Sequence, residues 1–250
     1  YIDKLIPKII TKFDVKENKD IAILTRNNST AKLVFSKIAT NSVYFSDTPI
    51  DKSNQKHEVF TRLLLTYIFG NKDIYPENVI ESSYLEMKVR KKNKVIEEMI
   101  NLRKDYIDSN SIDENKIYLL LKYIFNNNVN LSNIEATIKN DNFLKSYKPL
   151  DKNKIHIMTI HKSKGLEFDV VLILDLHKYI IPKLDFDNNR YVDLYEDKCI
   201  HYVSITRAKK AVLMLVNSQR HNSLGILKNG MESEFISDNE RPDLIAYRNQ

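Results

Sequence analysis

Charged and small side chains fill a short loop between two apolar segments, in the stretch MTIHKSKGLEFDVVLILDL at 158–176. Lys162 and Lys164 could meet phosphate groups, and the Glu167 carboxylate could accept hydrogen bonds from sugar hydroxyls. Gly165 is one of only 4 glycines in the chain, and it permits a tight turn or a close approach of the backbone to a ligand. These residue types predict a nucleotide-facing loop.

Two further polar segments adjoin apolar runs. TRNNS at 25–29 follows IAIL, and another polar segment leads into Thr206 and Arg207. Because ligands of open parallel sheets bind beyond the carboxyl ends of the strands, we expect all three loops at that edge. The phosphate-cradling pattern GxxxxGK[ST] occurs nowhere in the chain. The sequence therefore predicts half of a nucleotide site.

The elements that position these loops follow an α/β pattern. A strand, a loop, a helix and a strand are predicted by IAIL, TRNNST, NSTAKLVFSKIA and SVYFS. Later strands are predicted at 154–160, 170–174 and 211–216, with a helix at about 195–209 before the last one. The last two strands are continuous apolar runs, which are typical of strands covered on both faces.

The middle of the chain has a different character. Residues 52–147 show helical periodicity without a strand pattern, as in EVFTRLLLTYIF and SIDENKIYLLLKYIF. Capping boxes are predicted from Ser111 to Glu114 and from Ser132 to Glu135. The pattern predicts a helical insertion within an α/β domain.

Composition narrows the class of protein. The chain has 250 residues, is 42% hydrophobic and carries a formal net charge of +6, which modestly favours a polyanionic partner. No apolar run reaches the ~18–20 residues of a membrane helix, and no signal peptide is visible. A single cysteine excludes an internal disulfide, and clusters of Cys and His are absent. We expect a cytoplasmic protein without a membrane partner or structural metal, and, since the chain begins at Tyr1, part of a longer protein.

At family level, TIHKSKGLEFDVVLIL resembles motif V of the UvrD/Rep-type superfamily 1 DNA helicases, and YVSITRAKKAVLML resembles motif VI. IAILTRNNSTAKLV is similar to motif IV. The resemblance implies an α/β fold with a RecA-like parallel sheet flanked by helices and an all-helical insertion. It implies a discontinuous second RecA-like domain at 1–47 and 151–216, the insertion at 48–150, and a C-terminal tail at 217–250.

The resemblance also implies roles at a nucleotide. Arg26 and Arg207 match the motif IV and motif VI arginines, which act as arginine fingers on the γ-phosphate of ATP. Glu167 matches the glutamate that contacts the nucleotide sugar, Gly165 the glycine of the nucleotide-facing turn, and Lys164 the supporting motif V lysine. ATP and Mg²⁺ would be bound mainly by an N-terminal RecA-like ATPase domain outside this chain.

A second set of roles concerns single-stranded DNA, which is the implied macromolecular partner. Thr159 and His161 match positions that contact the DNA backbone. The basic run KVRKKNK at 88–94 is either a further DNA contact or a solvated helix face.

Departures from the family pattern leave alternatives open. The usual EERRL before motif VI appears as EDKCI, and its Cys199 is expected to pack within an apolar helix face. Arg207 could instead pair with Glu196 or Asp197. The alternative function is a non-catalytic helicase-like module that binds DNA or protein.

Overall fold

The computed structural model describes residues 1–51, 53–70, 74–185, 188–221 and 226–236. The chain divides into two compact units, one formed by Tyr1–Phe45 with Asp151–Gln250 and the other by Ser46–Leu150.

The elements are numbered in chain order. The helices are α1 (Ile2–Lys12), α2 (Asn28–Lys37), α3 (Lys56–Phe69), α4 (Pro76–Ser82), α5 (Val89–Ser109), α6 (Glu114–Ile124), α7 (Ser132–Ile138), α8 (Asp141–Leu144) and α9 (Leu194–Thr206). The strands are β1 (Ile21–Thr25), β2 (Ser42–Phe45), β3 (Ile155–Thr159), β4 (Phe168–Ile173), β5 (Leu184–Asp185), β6 (Arg190–Tyr191), β7 (Ala208–Met214), β8 (Gln219–His221) and β9 (Leu227–Asn229).

A five-stranded sheet forms the centre of the first unit. Its strand order is β2-β3-β1-β4-β7, and every neighbouring pair is parallel. Helices α1 and α2 pack against one face of this sheet, where Ile6, Ile9 and Ala31 share a core with Ile23 and Leu172. The predicted α/β fold with a parallel sheet is therefore confirmed.

Burial differs along the sheet. Every residue of β1 and β3 is buried, and β4 has one partly buried position. Strand β7 is only half-buried, and its Lys209 and Lys210 are exposed. The expectation that this strand is covered on both faces is wrong, since its apolar residues 211–214 are only partly buried; β7 is the last strand in the described sheet order.

The described residues of the second unit form helices joined by loops and contain no strand, as the periodicity predicts. Its core is formed by α3 together with α4–α8, including Phe60, Leu64, Met99 and Leu121. Burial of these apolar stripes stabilises a unit whose short helices would be marginal alone.

Both predicted capping boxes are wrong. Helix α6 begins after Asp113, whose carboxylate accepts hydrogen bonds from the backbone N–H groups of Asn115 and Lys116. Ser132 lies inside the first turn of α7, and the preceding residue, Leu131, provides no side-chain cap. In the first case Asp113, an equally good N-cap residue, lies nearer the apolar stripe, and in the second the helix begins at Ser132 itself.

The segment after 217, which the sequence set apart as a tail, contributes to the first unit. Strands β8 and β9 pair as an antiparallel hairpin. Ser233 and Ile236 are buried, and the Ser233 backbone N–H donates to the Leu176 carbonyl at 2.9 Å. Cys199, in contrast, is exposed. Its expected packing role is wrong, because helix α9 buries Asp197, Ile200 and Ser204 instead.

Candidate functional site

The predicted site residues lie at two opposite edges of the sheet. Thr25 and Thr159 are paired at the carboxyl ends of β1 and β3, so Arg26 and His161 follow that edge. Phe168 pairs with Ala208 at the amino ends of β4 and β7. Residues 165–167 and Arg207 immediately precede those two strands and therefore lie at the amino edge. The expectation that all three polar loops share the carboxyl edge is wrong.

At the amino edge, Arg207 is held by residues of α9 and by the loop that precedes β4. Its Nε donates to the Val203 carbonyl at 3.2 Å and its Nη1 to the Leu166 carbonyl at 3.1 Å. Its Nη2 donates to Thr206 Oγ1 at 3.2 Å. These three bonds leave guanidinium N–H groups without a partner among the described residues. The side chain is thus fixed in direction while part of its fork stays open to an anion.

The loop itself is shaped by Gly165. Its φ of +84° is a conformation that L side chains rarely adopt, and apart from its two chain neighbours no described residue has an atom within 4 Å of where a Cβ would stand. The backbone therefore turns here beside open space. Lys164 is exposed in the same turn.

Glu167 follows this turn and points its carboxylate outward. Its side chain is 63% exposed and lies 3.4 Å from Lys209 Nζ, which is itself 55% exposed. Because an exposed ion pair contributes little net free energy, this carboxylate can exchange Lys209 for hydroxyl donors of a ligand.

Further charges surround the amino edge. Asp169 pairs with Lys210 at 2.8 Å. Burial, and next the negative charge of Asp169, raise the pKa of Asp20 above its ordinary value. Acidic and basic groups alternate here, which gives a mixed surface rather than a uniformly basic one.

At the carboxyl edge, Arg26 is surrounded by acids and a histidine. Its backbone N–H donates to Asp175 Oδ2 at 3.0 Å. Its Nη2 lies 3.2 Å from Asp197 Oδ1, and the exposed fractions of the two side chains are 20% and 3%. Its Nη1 lies 3.2 Å from His161 Nε2. Because arginine can only donate, His161 Nε2 accepts in this contact.

Thr159 lies inside this edge. Its side chain is buried, with 2% exposed, and its hydroxyl accepts a hydrogen bond from the Lys162 backbone N–H at 3.3 Å. Thr159 thus shapes the turn that presents His161, which is exposed.

No hydrogen bond among the described residues joins Arg26 to Arg207, since each guanidinium has other partners. Helix α9 carries Asp197, the partner of Arg26, in its first turn and ends at Arg207. Asp197 and Arg207 are ten positions apart, which corresponds to about 15 Å along the helix axis. The two guanidinium groups thus have different partners in this unit, and their joint action on one phosphate stays a prediction.

Three features were missed by sequence reasoning. Asp197 was considered as a partner for Arg207, whereas it pairs with Arg26. Lys209 and Asp175 were given no role. The chain order could have indicated that the two arginines lie at opposite edges of the sheet. Arg26 comes directly after strand β1, whereas Arg207 comes directly before strand β7.

The basic run at 88–94 is partly engaged within the helical unit. Lys91 donates to the Ile124 carbonyl at 2.8 Å, and Lys92 pairs with Glu81 at 3.7 Å. Lys94 lies 4.9 Å from the centre of the Tyr123 ring. The described contacts fit a solvated helix face, and a role in DNA binding stays a prediction.

Within the part of the chain that the structure describes, no group of three His, Cys, Asp or Glu side chains is arranged to hold a metal ion. Over the same residues, no helix combines the length and apolar character needed to cross a membrane.

The fold and the two polar edges define an α/β domain of the RecA-like type. A family model described as the UvrD-like helicase C-terminal domain matches residues 47–219. The chain therefore belongs to the UvrD/Rep-type helicase family and represents its C-terminal domain. The matched range contains the loop around Gly165 and Arg207 and begins after Arg26.

Individual relatives agree with this family. The chain is 31% identical over 107 residues to the ATP-dependent DNA helicase Rep of Buchnera aphidicola, covering 43% of this chain and 16% of the relative. It is 38% identical over 97 residues to DNA helicase II of Rickettsia typhi, covering 38% and 14%. It is 25% identical over 183 residues to the ATP-dependent DNA helicase PcrA of Staphylococcus aureus, covering 73% and 22%. The chain thus spans less than a quarter of the length of each of these relatives.

Proposed function

We propose that this chain is the second motor domain of an ATP-dependent DNA translocase or helicase. Its amino edge would face ATP bound on an N-terminal RecA-like domain, and its carboxyl edge would contact single-stranded DNA. Mg²⁺ is assigned to that N-terminal domain, with the ATP phosphates.

The observation that carries the nucleotide half is the fixed position of Arg207 beside the Gly165 turn. Hydrogen bonds to two backbone carbonyls hold its guanidinium at the loop that carries Glu167. Phosphoryl transfer depends on positioning and on stabilising charge spread over phosphate oxygens, which a preoriented arginine supplies. We therefore assign the arginine finger to Arg207 alone.

The residues at the amino edge fit a nucleotide that is bound mainly elsewhere. Gly165 leaves open space where a side chain would stand, and Glu167 presents an exposed carboxylate. Lys164 adds a positive charge in the same turn. A domain that only completes a site needs such outward-facing groups rather than a deep pocket.

The DNA half of the proposal relies on His161, which is exposed at the opposite edge. Thr159 supports it by fixing the turn, as its buried hydroxyl indicates. Contacts to the DNA backbone are expected to be electrostatic, salt-sensitive and nearly independent of base sequence. Closing and opening of the two motor domains would then alternate the grip on the strand.

Glu167 provides a direct test of the nucleotide half. In the protein that carries both motor domains, Glu167→Ala should raise KM for ATP about 10-fold and leave kcat within about 2-fold. The expectation follows because a hydrogen bond to a charged acceptor contributes about 1.5–3 kcal/mol and the sugar does not react.

The matched control is a substrate change. With 2′,3′-dideoxy-ATP, wild-type protein should show the raised KM, and Glu167→Ala should show no further rise. If the variant discriminates ATP from the dideoxy analogue as strongly as wild type, Glu167 does not contact the sugar and the assigned orientation of the amino edge is wrong.

A further inference from the structure

Arg26 is held from both sides at the carboxyl edge. Asp197 lies 3.2 Å from one guanidinium nitrogen and His161 Nε2 lies 3.2 Å from the other. The Arg26 side chain therefore links Asp197 of helix α9 to His161 in the loop after β3.

Asp197 is itself firmly placed. It is 3% exposed, and its Oδ2 accepts the Lys183 backbone N–H at 2.7 Å. Its Oδ1 faces Arg26 without the alignment of a hydrogen bond, so that contact is chiefly between opposite charges. A buried carboxylate left without its cation is strongly unfavourable, which keeps Arg26 at this position.

The opposite end of α9 lies at the amino edge, where Arg207 follows the last residue of the helix. A rigid helix thus connects the group that holds Arg26 to the proposed finger. Movement of α9 at one end would displace Asp197, and through it Arg26 and His161, at the other.

We propose that Asp197 is a positioning residue that fixes Arg26, and through Arg26 sets the orientation of His161 toward single-stranded DNA. The inference rests on the proposed DNA edge and goes beyond it by naming the residues that tie this edge to α9. In this assignment Arg26 supports the DNA contact.

The test is a double-mutant cycle in the protein that carries both motor domains. Affinity for fluorescein-labelled oligothymidylate is measured by anisotropy, without nucleotide, for Asp197→Asn, Arg26→Ala and the double variant. Asp197→Asn keeps the shape of the side chain and an acceptor for the Lys183 N–H while removing the charge. It should weaken DNA binding about 10-fold, the scale of coupling between contacting residues. In the Arg26→Ala background it should have no effect.

The neighbouring acid supplies the matched control. Glu196 is exposed in the same turn of α9, and Glu196→Gln should leave the affinity within about 2-fold of wild type. Thermal melts give a second measurement. Arg26→Ala strands a buried carboxylate and should lower the melting temperature, and adding Asp197→Asn should restore part of the loss.

The outcomes separate the inference from the proposed function. If Asp197→Asn binds DNA like wild type, or weakens binding equally with and without Arg26, the positioning role of Asp197 is wrong. The proposal that the carboxyl edge contacts DNA is not affected by that result. If His161→Ala leaves DNA affinity unchanged, the assignment of this edge to DNA is wrong, and the inference is overturned with it.

Discussion

Replacing Arg207 by alanine tests the proposed finger most directly. In the protein that carries both motor domains, Arg207→Ala should lower kcat about 1,000-fold or more, the scale of an arginine finger. The benefit of the guanidinium arises mainly in the transition state, when charge spreads over the transferring phosphoryl group. KM for ATP should therefore change far less than kcat.

The structure also predicts a cost in stability. Arg207 donates hydrogen bonds to two backbone carbonyls and one hydroxyl, and the side chain is half-buried. A well-placed hydrogen bond contributes about 1 kcal/mol to stability, and an exposed one contributes less. Arg207→Ala should therefore lower the free energy of unfolding by roughly 1–3 kcal/mol. A chain that still folds should therefore show a moderately lower melting temperature together with a very large loss of turnover.

Lysine at this position separates charge from geometry. Arg207→Lys keeps the positive charge but lacks the planar fork, so it cannot bond both carbonyls and a phosphate together. Its turnover should also be severely reduced, with single-stranded DNA binding in the absence of nucleotide largely kept. Lys198→Ala removes an exposed positive charge from the same helix and serves as the control.

The assay is steady-state ATP hydrolysis at saturating single-stranded DNA, with a thermal melt of each variant. Retention of more than about a tenth of wild-type turnover by Arg207→Ala would refute the finger assignment. A melting temperature so low that the variant is unfolded at the assay temperature would show that Arg207 is chiefly structural.

Three other expectations follow from the structure. The 250-residue chain alone should not hydrolyse ATP; DNA-stimulated hydrolysis by the purified chain that disappears in Arg207→Ala would contradict the half-site. Gly165→Ala should lower the free energy of unfolding by about 1–2 kcal/mol, because φ is +84° while the space beside it is open; an unchanged denaturant midpoint would show that the turn relaxes. Burial lowers the pKa of His156 to about 4, so between pH 6.5 and 4 the unfolded chain binds a proton that the folded chain does not, and stability should fall by up to about 3 kcal/mol as pH drops. Urea unfolding across this range checks the last expectation, and His156→Leu should flatten the pH dependence.

Local patterns in the sequence were sufficient for the architecture. Apolar runs of strand length alternate with a helical segment in the first unit, and the 3.6-residue periodicity of 52–147 specifies helices whatever surrounds them. Motifs V and VI also indicated the family, since the loop around Gly165 and the TRAKK segment each combine several chemically specific residues.

Tertiary structure alone decided which side chains meet. Asp197 pairs with Arg26, distant in sequence, because the start of α9 and the end of β1 come together at the carboxyl edge. Exposure of Cys199 depends on which face of α9 packs inward, and the incomplete burial of β7 accompanies its position at the end of the described sheet.

The proposed site also depends partly on the sequence and partly on the tertiary structure. Residue types and spacing indicated nucleotide and DNA chemistry, but they assigned every polar loop to one edge of the sheet. A parallel sheet requires the chain to return to the amino edge before each new strand, and the residues that end this return, Glu167 and Arg207, face the opposite direction from Arg26 and His161. Sequence therefore determined which groups are present, and the path of the chain between the strands determined that they form two surfaces.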